Sequence, residues 1–459
     1  MKITQYFLLA LTLFFACEGP KSPVSATVSG KITNPKGDQV SFRWNGETVT
    51  DSLNAEGKFN VTLDLSKPQE VRFRHGEEST TLYLRPGDQL SLSLDTKEFD
   101  ESLKYTGTGE KINNYLAAVV LMGDTIINPR AMYMLPPDSF QLVLGNIKEW
   151  KIAALESFNI DDEEFISYAK NDLEWSDRVK KISYEDNYKY LTKATEVELP
   201  EDFYAFENEA DINDSTQVDY PSFQNFVEKK AEQLAGVKYE NRKDQSGGFY
   251  SFYLEAIDEI VTIPSIKEKM YYDILNYGYS SLDEERQDYL YNGWLSLNPD
   301  AEKVAQIDEQ IKQLQKLNPG NPAPAFTYVS IDGDSVSLED FRGKLVYIDV
   351  WATWCGPCIR EHPFMEKLQE RFEGKDVVFI AVSTDSTQEP WKKMVAAKEL
   401  GGVHLYAPGA WQSTIIQDYM IKGIPRFILI DREGKIIDAN AERPSGSIGD
   451  QLDELLQST

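Results

Sequence analysis

Two cysteines three residues apart, placed where a strand ends and a helix begins, constrain this chain more than any other feature. Residues 345–350 read LVYIDV and are almost continuously apolar, as in a parallel strand that is covered on both faces. The CGPC stretch at 355–358 follows, and then a segment with helix-like apolar spacing. The N–H groups and partial positive charge of a helix N-terminus stabilise a thiolate. The pattern predicts a redox pair, with Cys355 as the exposed nucleophile and Cys358 as the resolving thiol inside the helix.

The cysteine count limits the alternatives to this redox interpretation. The chain has three cysteines, and the third is Cys17, so a disulfide-stapled secreted scaffold is excluded. The close pair is otherwise half of a metal site, but His75, His362 and His404 do not have the ligand spacing of a zinc site. We therefore expect no metal and no cofactor, and we expect His362 to lie on the solvated surface.

The composition is that of a folded, acidic protein. Hydrophobic residues make up 41% and charged residues 27% of the 459 positions, which is globular composition. A chain of this length suggests about three domains of ordinary size. Lysine and arginine number 47 against 75 acidic residues, so the net charge is −28. Because such a surface repels phosphate backbones, the composition argues against nucleic-acid binding.

The N-terminus has the layout of an export signal. Lys2 supplies a positive start, and residues 7–16 form an apolar stretch that is too short to span a bilayer comfortably. The stretch stops at Ala16 and Cys17, which resembles the lipobox of bacterial lipoproteins. By that resemblance residues 1–16 are a signal peptide, Cys17 is lipidated, and residues 17–24 are a tether. An ordinary secretory signal with a chance cysteine is the alternative, and both predict export.

The rest of the chain divides by its periodicity. Residues 25–105 carry short runs of alternating apolar and polar residues between turn clusters, which predicts a small antiparallel sandwich or barrel. Residues 106–317 read mostly helical, and the apolar residues of 304–314 recur at three- and four-residue spacing. The Pro- and Gly-rich residues 318–324 forbid helix continuation and predict a linker. Residues 325–459 are then the α/β domain that carries the cysteines. The predicted strand runs are residues 26–32, 59–65, 70–73, 80–84 and 89–94.

The cysteine motif and its surroundings resemble a known family. WCGPC with its strand and helix looks like the thioredoxin superfamily. The phrases APAF at 323–326, SLEDFRGK at 337–344 and WATWC at 351–355 are similar to the TlpA/ResA-like branch of membrane-anchored, envelope-facing thiol–disulfide oxidoreductases. The resemblance covers about residues 322–455, under a third of the chain. It implies a thioredoxin-like α/β domain, preceded here by an all-β, sandwich-like domain and a mainly α-helical domain.

The resemblance also implies which residues bind the substrate. Ile424 and Pro425 occupy the family's cis-proline position, where the residue before the proline offers backbone hydrogen bonds to a bound substrate strand. Arg426 follows, where thioredoxins usually carry Thr. The full set of implied substrate contacts is Trp354, Gly356, Pro357, Ile424 and Pro425.

Two acids match family positions for proton transfer. Asp349, six residues before Cys355, matches the buried aspartate of thioredoxins, and Glu361, six residues after it, matches the glutamate of the TlpA-like branch. A buried carboxylate has a raised pKa and can pass a proton to or from the inner thiol. The alternatives are a satisfied polar residue at a strand end for Asp349 and an ordinary acid in the first turns of a helix for Glu361.

These patterns predict an exported thiol–disulfide oxidoreductase that faces the periplasm of a bacterial cell envelope. By the resemblance, its substrates are disulfide-containing envelope proteins and a membrane donor supplies its electrons. We expect a protein disulfide reductase, since no charged residue stands between the cysteines to over-stabilise the thiolate. One alternative is a ligand- or partner-binding envelope lipoprotein with an accessory redox domain. Another is a peroxiredoxin-like peroxidase, which shares the A-P-x-F and D-F-x-G-K phrases but does not need both cysteines.

Overall fold

The computed structural model describes residues 25–44, 46–126, 128–208, 210–241, 248–398 and 400–457. The predicted signal peptide, the tether and Cys17 lie outside these residues. Contacts between Cα atoms divide the chain into two units. The first unit runs to Ile212 and includes Thr216–Lys229, and the second contains Asn213–Ser215 and resumes at Lys230.

In the first unit, two β-sheets enclose one apolar core. One described sheet has the strand order β4-β1-β7-β8 and the other has the order β3-β2-β5-β6. Side chains from both sheets, among them Val28, Phe42 and Phe73, are buried in a shared cluster. This confirms the prediction of an all-β, sandwich-like region. The strands are β1 Ser25–Thr33, β2 Gln39–Trp44, β3 Glu47–Ser52, β4 Lys58–Asp64, β5 Gln69–His75, β6 Glu78–Leu84, β7 Gln89–Asp95 and β8 Lys104–Gly107.

The β-rich region differs from the sequence prediction in its strand pairing and in its number of strands. β1 and β7 pair in parallel, so the expectation of a purely antiparallel arrangement is wrong. The reason is that β6 and β7 belong to different sheets. The chain crosses from one sheet to the other after β6, and β7 then lies beside β1. In addition, β2, β3 and β8 were not predicted from the sequence. β3 lies at a sheet edge and none of its residues is buried, so its sequence carries no apolar alternation, whereas β2 does alternate through Val40, Phe42 and Trp44.

Helices follow most of the sandwich strands in the first unit, and aromatic side chains pack where these helices meet each other and the sheet. Phe140, Tyr184 and Phe203 share one buried cluster. Tyr83 of β6 packs edge-on against Phe165, with 4.9 Å between ring centroids. These aromatic residues therefore build the core. The helices are α1 Phe99–Ser102, α2 Glu110–Ile126, α3 Pro129–Met132, α4 Pro137–Ser157, α5 Glu163–Ile182 and α6 Tyr184–Thr192, and α7 Pro221–Asn241 contains residues of both units.

The second unit begins with further helices, which confirms the mainly helical middle region. They are α8 Gly248–Ile260, α9 Pro264–Tyr277, α10 Glu284–Ser296 and α11 Ala301–Gln315. α11 is the helix predicted from the spacing of residues 304–314, and the Asp300 carboxylate caps it by accepting a hydrogen bond from the Glu302 N–H at 2.7 Å. Leu314 and Leu317 pack onto the core of the domain that follows. No described helix is both long and apolar enough to cross a bilayer.

The C-terminal part of the second unit is an α/β domain built on one mixed sheet of order β10-β9-β13-β12-β11-β14-β15. Every residue of β11 is buried, and this strand runs parallel to β12 and antiparallel to β14. The apolar run at 345–350 is thus the central strand that the sequence predicted. The elements are β9 Thr327–Ser330, β10 Ser335–Ser337, β11 Leu345–Trp351, α12 Gly356–Arg371, β12 Val377–Ser383, α13 Gln388–Lys398, β13 Val403–Tyr406, α14 Thr414–Asp418, β14 Arg426–Ile430, β15 Ile436–Asp438 and α15 Ile448–Gln457.

Candidate active site

The two cysteines lie in the turn between β11 and α12, as predicted. Cys355 is the N-cap residue of α12, and its Sγ accepts a hydrogen bond from the backbone N–H of Cys358 at 3.2 Å. The two residues are joined by a disulfide, with their Cα atoms 5.3 Å apart. The helix N-terminus therefore points its N–H groups at the sulfur that the sequence assigned as the nucleophile.

The expected exposure of Cys355 is wrong for this disulfide-bonded form. Cys355 is 4% exposed and Cys358 is 0% exposed. Both belong to a buried apolar cluster with Trp351, and Ile424 packs against that cluster. Since apolar side chains cover the sulfurs from several sides, the difference in access between the two cysteines is small in this state.

The residues expected to contact substrate surround the buried disulfide. Trp354 is 59% exposed, and Gly356 and Pro357 beside it are exposed as well. Ile424 and Pro425 are half-buried, and the peptide bond between them is cis, as the resemblance implied. The contact of Ile424 with the cysteine cluster brings this second segment to the disulfide.

A second exposed tryptophan lies beside Trp354. Trp411 is in the short 3₁₀ helix Ala410–Gln412, is 41% exposed, and its ring centroid is 6.2 Å from that of Trp354. Trp411 was not predicted as a site residue, because a lone aromatic residue in a loop has no periodicity to mark it. The pair forms an apolar surface next to the cysteines.

Asp349 is a buried acid in the central strand β11. Its Oδ1 has no hydrogen-bond partner among the described residues. Burial and, to a smaller extent, the negative charge of Glu361 raise the pKa of Asp349 to about 8. The carboxyl group is therefore largely protonated at neutral pH, and it can donate or accept a proton close to that pH.

Glu361 is buried in α12 and is not an ordinary solvated acid. The backbone N–H of Ser445 donates to one carboxylate oxygen at 3.0 Å, and the Ser445 hydroxyl donates to the other at 3.1 Å. Ser445 is 84 residues away in the sequence, so no local pattern marks it. These two bonds hold the Glu361 carboxylate in place near Asp349.

The expectation that His362 lies on the surface is wrong. α12 buries one face against the sheet, and His362 lies on that face with its ring edge-on to Trp351, 4.9 Å between ring centroids. Burial and, to a smaller extent, the charges of Lys398 and His404 lower the pKa of His362 to about 4. The residue is therefore neutral at pH 7. The buried residues of this face are Cys358, Glu361, His362, Met365 and Leu368.

Asp349, His362 and His404 line one pocket. The Nε2–H of His404 donates to the carbonyl of Gly401 at 2.9 Å, which leaves Nδ1 as a neutral acceptor. Asp349 Oδ1, His362 Nδ1 and His404 Nδ1 all lack a hydrogen-bond partner among the described residues. The pocket thus places two neutral imidazoles beside a carboxyl group that titrates near neutral pH.

The turn before Cys355 is anchored by an acid that the sequence analysis also missed. Asp385 is buried after β12, and its two carboxylate oxygens accept hydrogen bonds from the backbone N–H of Thr353 at 3.2 and 3.1 Å. Ser383 donates its hydroxyl to the same carboxylate at 2.8 Å. Within the described ranges, no group of three or more His, Cys, Asp and Glu side chains is placed to hold a metal ion.

Comparison with known proteins places this site among thiol–disulfide oxidoreductases. The Redoxin family model matches residues 318–455, which confirms a thioredoxin-like fold for the C-terminal domain. The thiol-disulfide oxidoreductase ResA of Bacillus thuringiensis subsp. konkukian is 33% identical over 143 residues, which cover 31% of this chain and 79% of the relative. The thioredoxin-like protein YneN of Bacillus subtilis is 31% identical over 148 residues, which cover 32% of this chain and 80% of that relative.

Solved structures include similar domains. The crystal structure of the thioredoxin domain of a thiol-disulfide oxidoreductase from Bacteroides vulgatus is 33% identical in sequence. The matched region covers 30% of this chain and 99% of the chain in the crystal structure, with a TM-score of 0.29.

Proposed function

This chain belongs to the ResA-like family of thiol–disulfide oxidoreductases, and from that premise we propose that it reduces protein disulfides in the bacterial cell envelope by dithiol–disulfide exchange. The observation that carries the proposal is the disulfide between Cys355 and Cys358 at the N-terminus of α12. A pair that closes into a disulfide here can open into a dithiol and reduce another disulfide.

The exchange runs through one mixed disulfide. The Cys355 thiolate attacks a sulfur of the substrate disulfide, so a bond forms to that sulfur and the other substrate sulfur leaves as a thiolate that takes up a proton. Cys358 then loses its proton and attacks Cys355 Sγ, which releases the second substrate thiol. The Cys355–Cys358 disulfide forms, and two electrons have passed from the dithiol to the substrate.

Asp349 transfers protons in this exchange, and Glu361 assists it. Asp349 has a pKa raised to about 8, so it can accept the proton of the Cys358 thiol or return one to a leaving thiolate near neutral pH. Glu361, held by Ser445, contributes the negative charge that helps to keep Asp349 protonated. The second acid therefore acts through the first.

The substrate is an extended polypeptide segment that carries a disulfide. Trp354, Gly356 and Pro357 offer an exposed surface on one side of the cysteines, and Ile424 and Pro425 offer a half-buried surface on the other. Such a broad surface suits a protein chain better than a peroxide, and it favours the reductase over the peroxidase alternative.

We further propose that the protein is exported, lipid-anchored through Cys17 and periplasm-facing. The basis is the apolar stretch at residues 7–16 that stops at Cys17. Each turnover leaves the cysteines oxidised, so the protein needs a membrane electron donor that returns the pair to the dithiol.

An insulin-reduction assay tests the activity. The full chain, with Cys17→Ser to keep it in solution, is given dithiothreitol and insulin, and the turbidity of released insulin chains is followed. We expect faster precipitation than with dithiothreitol alone, and loss of that acceleration in Cys355→Ser. No acceleration by the parent, together with rapid consumption of hydrogen peroxide, would favour the peroxidase instead.

A further inference from the structure

A pocket in the second unit adjoins the segment that follows the cis-proline. Helices α9 and α11 and the turn between α9 and α10 form one wall, with Tyr277, Gln310 and Leu314 among its residues. The other wall contains Met420, Lys422 and Arg426. The lining residues include two cations and no acid.

Among the described residues, the two cations of this pocket form no ion pair. Neither Arg426 nor Lys422 forms an ion pair with any carboxylate in the part of the chain that the structure describes, whereas Arg342 and Arg371 of the same domain pair with Glu339 and Asp453. Lys422 is exposed, but Arg426 is half-buried. A partly desolvated guanidinium without a partner is unfavourable, so the site gains from an anion.

The electrostatics of Arg426 agree with that geometry. Burial lowers the pKa of its guanidinium, and Asp438 is the acid whose charge opposes the shift without forming an ion pair. In a chain with a net charge of −28, a pocket lined by two unpaired cations is a local exception to the acidic surface.

The position of the pocket indicates that the anion is part of a substrate bound at the cysteines. Arg426 follows Pro425 directly, and Ile424 packs against the cysteine cluster. Two residues of chain span roughly 7 Å, so a group in this pocket lies within reach of a substrate segment bound at the cysteines. The fork of a guanidinium matches a carboxylate, which it binds through two parallel hydrogen bonds.

We propose that this pocket binds a carboxylate of the substrate and so selects disulfides that have an acidic residue nearby. The inference rests on the proposed reductase function and names its substrate class. The carboxylate is an acidic side chain of a polypeptide, and glutathione disulfide is the low-molecular-weight source of the same group. Tyr277, Gln310 and Leu314 precede residue 318, where the Redoxin match begins, so one wall of the pocket lies outside that match.

The test compares matched substrates on the full chain. Two disulfide-linked peptides differ only in Glu or Gln beside the cysteine, and the readout is the ratio of their kcat/KM values. We expect Arg426→Gln to lower the acidic-to-neutral ratio about tenfold and Lys422→Gln to lower it about threefold, as for loss of a charge-assisted hydrogen bond. Arg426→Lys should retain part of the ratio, and Lys392→Gln, an exposed lysine outside the pocket, should leave it unchanged.

The outcomes separate this proposal from the function on which it rests. If the parent reduces both peptides and the ratio is the same in Arg426→Gln and Lys422→Gln as in the parent, the pocket proposal is wrong while the reductase function stands. If the parent reduces neither peptide, the function itself fails. If Arg426→Gln does not fold, the acidic-to-neutral ratio of Lys422→Gln still tests the proposal, because Lys422 is exposed. In parallel, the kcat/KM value for glutathione disulfide is divided by that for its ethyl ester. If Arg426→Gln lowers this ratio but leaves the peptide ratio unchanged, the carboxylate does not come from a polypeptide.

Discussion

The Thr353 hydroxyl donates a hydrogen bond of 2.7 Å to the carboxylate of Asp385. Together with the backbone N–H of Thr353 and the hydroxyl of Ser383, it makes this carboxylate, which is 3% exposed, a buried anchor for the turn that carries Cys355. A buried carboxylate that accepts several hydrogen bonds fixes the backbone around it. The position of Cys355 thus depends on a residue that follows a neighbouring strand.

Asp385→Asn should therefore slow the first step of the exchange. The amide keeps one acceptor oxygen and puts an NH₂ group against the donors of Thr353 and Ser383, so we expect a loss of about 1–3 kcal/mol in the free energy of unfolding. The rate of mixed-disulfide formation should fall, and its pH profile should shift. Thr353→Val removes only the hydroxyl and should have a smaller effect. Equal rates and equal pH profiles in Asp385→Asn and the parent would contradict the anchoring role.

The two cysteines should behave differently when each is replaced. Cys358→Ser leaves the nucleophile but removes the thiol that resolves the intermediate, so mixed disulfides with substrate should accumulate. Cys355→Ser should trap none, because the N-cap position and the Cys358 N–H favour a thiolate at Cys355, whereas Cys358 lies inside the helix. Non-reducing gels with a disulfide-bearing substrate measure both, and the double variant is the blank. The reverse pattern would exchange the two roles.

The redox potential of the pair should be reducing. Gly356 and Pro357 add no charge beside the thiolate, so no group between the two cysteines over-stabilises it. We expect a value near −270 mV, about that of thioredoxin, and far from the roughly −120 mV of a strong oxidant. Equilibration in dithiothreitol buffers, followed by tryptophan fluorescence, gives the midpoint, with Cys358→Ser as the control without a transition. A midpoint above about −180 mV would favour an oxidase or isomerase.

Stability should depend on pH with opposite signs for Asp349 and His362. The pKa of Asp349 rises from 3.8 to about 8 on folding, so between these values the folded state holds the extra proton and stability falls as pH rises. The pKa of His362 falls from 6.5 to about 4, so between these values the unfolded state holds the extra proton and stability is lost as pH falls. Each group contributes a slope of up to about 1.4 kcal/mol per pH unit, so the two oppose each other below pH 6.5.

Single variants separate these two contributions. Asp349→Asn should remove the decline in stability between pH 6.5 and pH 8, and it should expose a loss of stability toward acid pH. His362→Phe should leave only the decline with rising pH. Thermal unfolding followed by tryptophan fluorescence at several pH values measures both. Parallel pH curves for Asp349→Asn and the parent would show that Asp349 does not titrate as a buried acid.

Cys17 should carry the lipid anchor. Inhibition of lipoprotein signal peptidase should leave a precursor that is heavier by the signal segment, because cleavage precedes a lipidated cysteine. Cys17→Ala should release the protein from the membrane fraction or leave it unprocessed. If Cys17→Ala is processed and fractionates with membranes like the parent, the lipid anchor is wrong and another attachment must hold the protein.

Sequence alone was enough to find the redox pair, the central strand β11 and the amphipathic helix α11. In each case the signal is local: a continuous apolar run, two cysteines at fixed spacing, or a three- and four-residue period. Most strands of the β-rich region were found in the same way. The edge strand β3 escaped because an edge strand with no buried residue needs no apolar alternation.

Only the tertiary structure decided what surrounds the cysteines. Periodicity does not say which face of α12 meets the sheet, so His362 was expected in solvent although it lies buried against Trp351. The contacts of Glu361 with Ser445 join segments 84 residues apart, and those of Thr353 with Asp385 join segments 32 residues apart. Spacing along the chain carries the chemistry of the two sulfurs, whereas burial, proton affinity and the shape of the surrounding surface arise when distant segments pack together.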